Sequence, residues 1–144
     1  MNNVSSILAR KGNDTVHVSP NTAVVEALQI MAEKNIGSVL VLEDGKYMGI
    51  LTERDYSRKV VLKGRSSADT KVEDIMTTGL PFVKPSDSIE HCMELMTFHT
   101  IRYMPVFENG ELAGIISMSD VVKQTILSQK ETITHLQSYI HSNS

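Results

Sequence analysis

The chain has no tryptophan, one cysteine and four prolines in 144 residues, and aromatic side chains make up only 5% of it. A single cysteine, Cys92, excludes an internal disulfide framework and a structural zinc site built on thiolates. A reducing compartment is the expectation, and with it a cytoplasmic location. No apolar run approaches the roughly 20 residues that a membrane-spanning helix needs. The opening Met1-Asn2-Asn3-Val4-Ser5 lacks the basic-then-apolar order of a secretory signal. Strong charge is missing too: 14 basic against 17 acidic residues leave a net −3, which gives no bulk reason to expect nucleic-acid binding. The five histidines, His17, His91, His99, His135 and His141, include no pair at the four-residue spacing of a helical metal site, so no metal is expected. No Ser-His-Asp order, paired carboxylates or glycine-rich phosphate loop stands out, and the chain reads as a non-enzyme. What is present is 41% hydrophobic and 22% charged residues, a balance that can bury one compact core or two small ones sharing it.

The dominant positive feature is an internal repeat. Shifting the chain by 65 residues aligns 18–62 with 83–127 without a gap and with 11 identities. Val18, Pro20, Met31, Ile36, Val41, Glu43, Gly45, Gly49, Ile50, Asp55 and Leu62 fall on Val83, Pro85, Met96, Ile101, Val106, Glu108, Gly110, Gly114, Ile115, Asp120 and Leu127. A short leader recurs as well, Val4-Ser5-Ser6-Ile7-Leu8 against Val72-Glu73-Asp74-Ile75-Met76.

Each copy reads as strand, helix, strand, tight turn, strand, helix. Val24, Ala27, Leu28 and Met31, and likewise Ile89, Cys92, Met93 and Met96, recur at the spacing of one buried helical face. That stripe also makes Cys92 a core residue. Thr22 and Asp87 are the expected N-caps, with Asp87 and Glu90 as a capping box. Two β-branched runs follow, 38–43 and 46–51, joined by Asp44-Gly45, with Asn109-Gly110 at the same place in the second copy. Both dipeptides tolerate the positive φ angles of a two-residue hairpin. A second helix is expected over 53–62, and its counterpart from about Ser119. A unit of this size buries too little surface to be secure alone, so the two copies are expected to pack with pseudo-twofold symmetry. The boundaries are 4–63 for the first copy, 64–71 for a polar linker, 72–128 for the second copy and 129–144 for a helical tail.

Thr52 and Asp55, and Ser117 and Asp120, stand where a strand hands over to a helix. A hydroxyl beside the free N–H groups of a helix start forms an anion site. A carboxylate three residues on can accept from the two hydroxyls of a ribose. The same spacing is also close to a capping box, which needs no ligand.

Taken together, Gly49-Ile50-Leu51-Thr52-Glu53-Arg54-Asp55, Gly114-Ile115-Ile116-Ser117-Met118-Ser119-Asp120 and Ile101-Arg102-Tyr103-Met104-Pro105-Val106 resemble a cystathionine-β-synthase (CBS) domain pair, or Bateman module. The run 52–60 resembles the stand-alone two-CBS proteins of bacteria and plant organelles. The resemblance spans about residues 4–127. It implies an α/β fold of the α+β kind, two tandem β-α-β-β-α repeats, and a regulatory sensor that does not catalyse. The implied ligand is an adenine nucleotide (AMP, ADP, ATP or NAD(H)) held in the cleft between the repeats. The implied contacts are Thr15, Val16, Val18, Ile36, Gly37, Ser38, Thr52, Arg54 and Asp55 from the first copy. From the second they are Leu80, Pro81, Val83, Ile101, Arg102, Tyr103, Met104, Pro105, Ser117, Ser119 and Asp120. Among these, 15–18 and 80–83 would offer backbone groups to the base edge. Gly37 leaves room for the base, and Arg102 can reach a phosphate. Because Gly37-Ser38 faces Arg102-Tyr103 in the alignment, and Glu53-Arg54 faces Met118-Ser119, the two sites should differ. The first, with Arg54 and an open Gly37, suits the longer or more highly phosphorylated ligand.

Arg54, Arg58, Lys59, Lys63 and Arg65 form a basic stretch that reads as a solvated helix face or as a rim steering phosphates. In 121–140, Ile126, Ile133 and Ile140 recur every seven residues with Leu136 between them, the seam of a helix packing on another helix. Homodimerisation through that seam is the expected assembly, and an unidentified regulated protein the expected partner. A ligand-free dimerisation and interaction module is the rival reading.

Overall fold

The computed structural model describes residues 2–12 and 15–142. Its elements are α1 (Val4–Lys11), β1 (His17–Val18), α2 (Val24–Lys34), β2 (Ser38–Glu43), β3 (Lys46–Thr52), α3 (Glu53–Tyr56) continued by a π-helical turn (Ser57–Val61), α4 (Val72–Ile75), α5 (Ile89–His99), β4 (Tyr103–Glu108), β5 (Glu111–Ser117) and α6 (Met118–Ser142). This is an α+β chain with two small sheets, one ordered β1-β2-β3 and one of β4-β5. Entry strand β1 pairs in parallel with β2, while the matching stretch of the second copy makes a single parallel bridge, Val83 to Val106.

The hairpins form as the dipeptides dictate. Asp44 and Gly45 sit at φ 52° and 78°, and Asn109 and Gly110 at 53° and 79°. Two successive left-handed residues give the turn whose twist matches that of paired strands. Register follows in both copies, with Glu43 opposite Lys46 and Glu108 opposite Glu111, and a bulge falls at the equivalent step of each, after Val41 and after Val106.

The expected caps are corrected by one residue. The helix-start residues are Ala23, which makes no side-chain cap bond, and Ser88, whose hydroxyl accepts from His91 N. Thr22 Oγ1 instead accepts from Ser19 N at 3.2 Å, and Asp87 Oδ2 from Lys84 N at 2.8 Å. Both close the turn that follows Pro20 and Pro85, where their oxygens meet a donor earlier than the helix offers one. The orphan N–H groups of α2 are met by the polar segment that follows the first copy. Val24 N and Val25 N donate to the carbonyls of Thr70 and Ser67, each at 2.9 Å.

The chain divides into two compact units, one of Met1–Asn13 with Pro81–Ser144, the other of Asp14–Leu80. The division runs across the sequence repeat, because the leaders are exchanged. In the first unit α1 docks on the second copy: Val4 N and Ser5 N each donate at 2.9 Å, to Asp87 O and Pro85 O. In the other unit α4 docks on the first copy by the same contacts, Val72 N to Thr22 O and Glu73 N to Pro20 O, each at 2.8 Å. Val4 and Ile7 are fully buried in one core, and Val72 and Ile75 in the other. Each such side chain contributes roughly 1.5–3 kcal/mol by burial. The strand glycines admit these leaders. A Cβ on Gly49 would meet Thr77 O at 2.7 Å, and one on Gly114 would meet Leu8 Cδ2 at 2.9 Å.

The two copies diverge most in their last helices. α3 gives way to the π turn, whereas α6 continues for 25 residues. From 129 to 141 its side chains are exposed, so this stretch covers no core of its own chain among the described residues. Ile133, Leu136 and Ile140 are 54–64% exposed. The last two residues of the expected tail, 143–144, lie outside the described residues.

Candidate functional site

The two strand-to-helix steps carry the residues with chemistry, and they are wired differently. In both, the reciprocal cap forms. Thr52 Oγ1 accepts from Asp55 N at 3.1 Å and Ser117 Oγ from Asp120 N at 3.1 Å. Each aspartate returns the favour, Asp55 Oδ2 accepting from Thr52 N at 3.0 Å and Asp120 Oδ2 from Ser117 N at 2.8 Å. The step is also tied to the segment before the hairpin, through Glu53 N to Gly37 O at 3.2 Å and Met118 N to Arg102 O at 2.8 Å.

Asp55 is saturated. Its Oδ2 also accepts from Thr52 Oγ1 at 3.0 Å, and its Oδ1 accepts from Thr77 Oγ1 at 2.8 Å and pairs with Lys59 Nζ at 3.0 Å. Lys59 Nζ donates in addition to Ile75 O. With its side chain 7% exposed, Asp55 ties the start of α3 to the end of β3 and, through Thr77, to the segment just after α4. At the position of Lys59 the second copy has Gln124, and the counter-charge for Asp120 comes from the exchanged leader. Lys11 Nζ sits 2.9 Å from Asp120 Oδ2 and 2.9 Å from Ile115 O, while Arg10 Nη1 donates to Gln124 Oε1 at 3.1 Å. Burial pushes the Asp120 carboxyl up, but the bonds from Lys11 and Ser117 outweigh it and hold the group below its ordinary value. Asp120 Oδ1 accepts no hydrogen bond among the described residues, and its side chain is 18% exposed.

Beside this step lies a groove of about 840 Å³. Of the sequence-nominated residues, Arg102, Tyr103, Ser117 and Ser119 line it together. Asp120 does not line it and is turned to Lys11. Met104, Pro105 and Val83 are buried instead, with the backbone of Val83 committed to β4 through Val83 N to Pro105 O and Phe107 N to Val83 O. Ile101 is packed against the same core, and Pro81 is half-buried. In the other unit Val18, Ser38 and Asp55 are buried, Thr15, Val16, Ile36, Gly37, Thr52 and Leu80 half-buried, and Arg54 exposed. Sequence reasoning missed Met118, Val122, Lys123, Ile126, Leu127 and Lys130, which complete the groove. The signal was available: Lys123 and Lys130 lie seven residues apart, flanking the apolar pair Ile126-Leu127 on one helical face.

Cys92 stands apart from this chemistry. It is fully buried, and burial, with the Asp87 charge adding, pushes its thiol up to about 11. Among the described residues no three His, Cys, Asp or Glu side chains cluster to hold a metal, and no helix is long and apolar enough to cross a membrane.

Comparison with known proteins places this geometry. The CBS domain profile matches residues 4–61 and again 72–126. The mitochondrial CBS domain-containing protein CBSX3 of Arabidopsis thaliana is 34% identical over 95% of this chain and 71% of its own length. A putative signal-transduction protein with CBS domains from Burkholderia ambifaria is 46% identical, with a TM-score of 0.84 over 88% of this chain and 96% of that one. A hexameric CBS-CP12 protein from bloom-forming cyanobacteria is 28% identical, with a TM-score of 0.73 over 83% of this chain and 66% of that one. CBS domain pairs are generally regulatory modules. Two profile matches in tandem, on a fold shared with these proteins, show that the chain belongs to the CBS domain family and carries one pair of CBS domains.

Proposed function

We propose that this CBS pair is a sensor of adenine nucleotides, and that the second copy provides its principal site. The observation that carries the reading is the groove that gathers Arg102, Tyr103, Ser117 and Ser119 at the start of α6. Hydroxyls and a guanidinium there suit a phosphate. The aliphatic wall of Met118, Val122 and Ile126 suits a base. In this reading Asp55 is a structural residue first, since a ribose hydroxyl would have to displace a donor it already holds.

Thermal denaturation of the full chain with AMP, ADP, ATP and NAD tests the proposal. A ligand at 100 times its Kd adds about 2.7 kcal/mol to stability. For a chain of this size that is a rise in Tm of roughly 5–10 °C. No shift with any of the four at millimolar concentration refutes it.

A second reading concerns assembly and rests on a separate observation, the uncovered Ile133, Leu136 and Ile140 of α6. We infer that two copies of the chain pair along this seam, as a heptad-spaced apolar stripe does. Concentration-dependent mass in solution is the expected result; a strict monomer overturns it.

A further inference from the structure

The groove runs on past what one phosphate requires. Ser119, Lys123, Ile126, Leu127 and Lys130 share one face of α6 and all line it. From Ser119 to Lys130 the helix rises about 16 Å. Its lining includes three cationic side chains, Arg102, Lys123 and Lys130, and no carboxylate. None of the three has an ion-pair partner among the described residues, and all three are exposed. Elsewhere the chain pairs its site cations internally, Lys11 with Asp120 and Lys59 with Asp55. In the groove it leaves three of one sign in a row.

We propose that this groove selects nucleotides carrying a chain of phosphates over a monophosphate, with Lys123 and Lys130 reading the phosphates beyond the first. The inference rests on the nucleotide reading above and names the ligand class of the same site. A single phosphate can be met by the Arg102 guanidinium and hydrogen bonds from the serine hydroxyls. Each further phosphate brings charge that only the α6 lysines face, and their flexible stems let the ammonium groups follow it. The longer ligand is thereby assigned to the second copy, against the sequence expectation for the first. The reason is that α6 continues as a regular helix where α3 turns into the π segment.

Isothermal titration of the full chain with AMP, ADP and ATP, without added divalent cation, tests this. ATP is expected to bind tighter than AMP. Lys130→Ala should weaken ATP by about fivefold, near the most that an exposed ion pair supplies, and AMP by less than twofold. ATP binding should also fall more steeply with salt than AMP binding. Circular dichroism confirms that the variants, made at exposed positions, remain folded. Measurable AMP binding that equals or exceeds ATP binding overturns the selection and leaves the nucleotide reading standing. So does an ATP advantage that survives both Lys123→Ala and Lys130→Ala. Absence of binding by all three nucleotides overturns both.

Discussion

Replacing Lys11 by methionine removes a charge from the Asp120 step while keeping most of the side-chain volume. The ammonium sits 2.9 Å from Asp120 Oδ2, with Lys11 34% and Asp120 18% exposed. An exposed pair of this kind is worth about 0–1 kcal/mol and a fully buried one costs about 3–5 kcal/mol to break. At this intermediate burial the loss should be about 1–2 kcal/mol at neutral pH. Its pH dependence follows from the sign of the shift. The Asp120 carboxyl titrates below its ordinary value in the folded chain. It therefore contributes stability that is fully present above the unfolded carboxylate value of about 3.9 and is lost as pH falls through the folded value. In Lys11→Met burial is opposed only by Ser117, so the carboxyl rises and that contribution shrinks. Urea denaturation should show the variant less stable at pH 7, with the gap to the parent closing in acid as the carboxylate becomes protonated in the folded chain. A gap of the same size at both ends of the range would refute the electrostatic account and assign Lys11 a packing role through its stem.

Asp55→Asn should be the more damaging aspartate substitution. It weakens the pair with Lys59, which is itself 43% exposed, and disturbs the contacts of the buried carboxylate, a cost of about 1–3 kcal/mol visible as a lowered Tm, against a smaller loss for Asp120→Asn. Gly49→Ala should cost about 1–3 kcal/mol, because its Cβ would meet the backbone oxygen of Thr77. Gly114→Ala should cost less, because only the end of the Leu8 side chain must yield; chemical denaturation giving the reverse order would contradict the leader packing. Ile133→Lys with Ile140→Lys should abolish concentration-dependent mass in sedimentation without lowering Tm at dilute concentration, as neither side chain is buried within the chain. Cys92 should resist thiol reagents in the folded chain and react in denaturant, since it is buried and its thiolate is disfavoured.

The parts of the site that were legible in the sequence are those that short-range geometry fixes. Thr52-x-x-Asp55 and Ser117-x-x-Asp120 specify a helix start wherever they stand, and both caps form. What could not be read was the partner of each carboxylate. Lys59 is four residues from Asp55, but Lys11 is 109 residues from Asp120 and reaches it only because α1 docks on the second copy. The groove is a similar case. Lys123 and Lys130 were visible as a seven-residue spacing, yet only their juxtaposition with Arg102 and Ser117 gives them a site to belong to. The caps at Thr22 and Asp87 failed for a local reason, since a turn donor three residues earlier in the chain claimed their oxygens.

The sequence by itself determined the repeat, the helical faces (except that Met93 is exposed and Leu95 packs against the core instead), both hairpins and the two hydroxyl-to-aspartate steps, because each depends on backbone preferences and periodicity over a few residues. Tertiary structure alone decided that the leaders trade places, that Asp55 is saturated while Asp120 keeps an open oxygen, and that α6 lines a cationic groove. Those outcomes depend on which distant surfaces bury each other, and two copies of one fold offer each leader two related docking faces built from side chains far away along the chain.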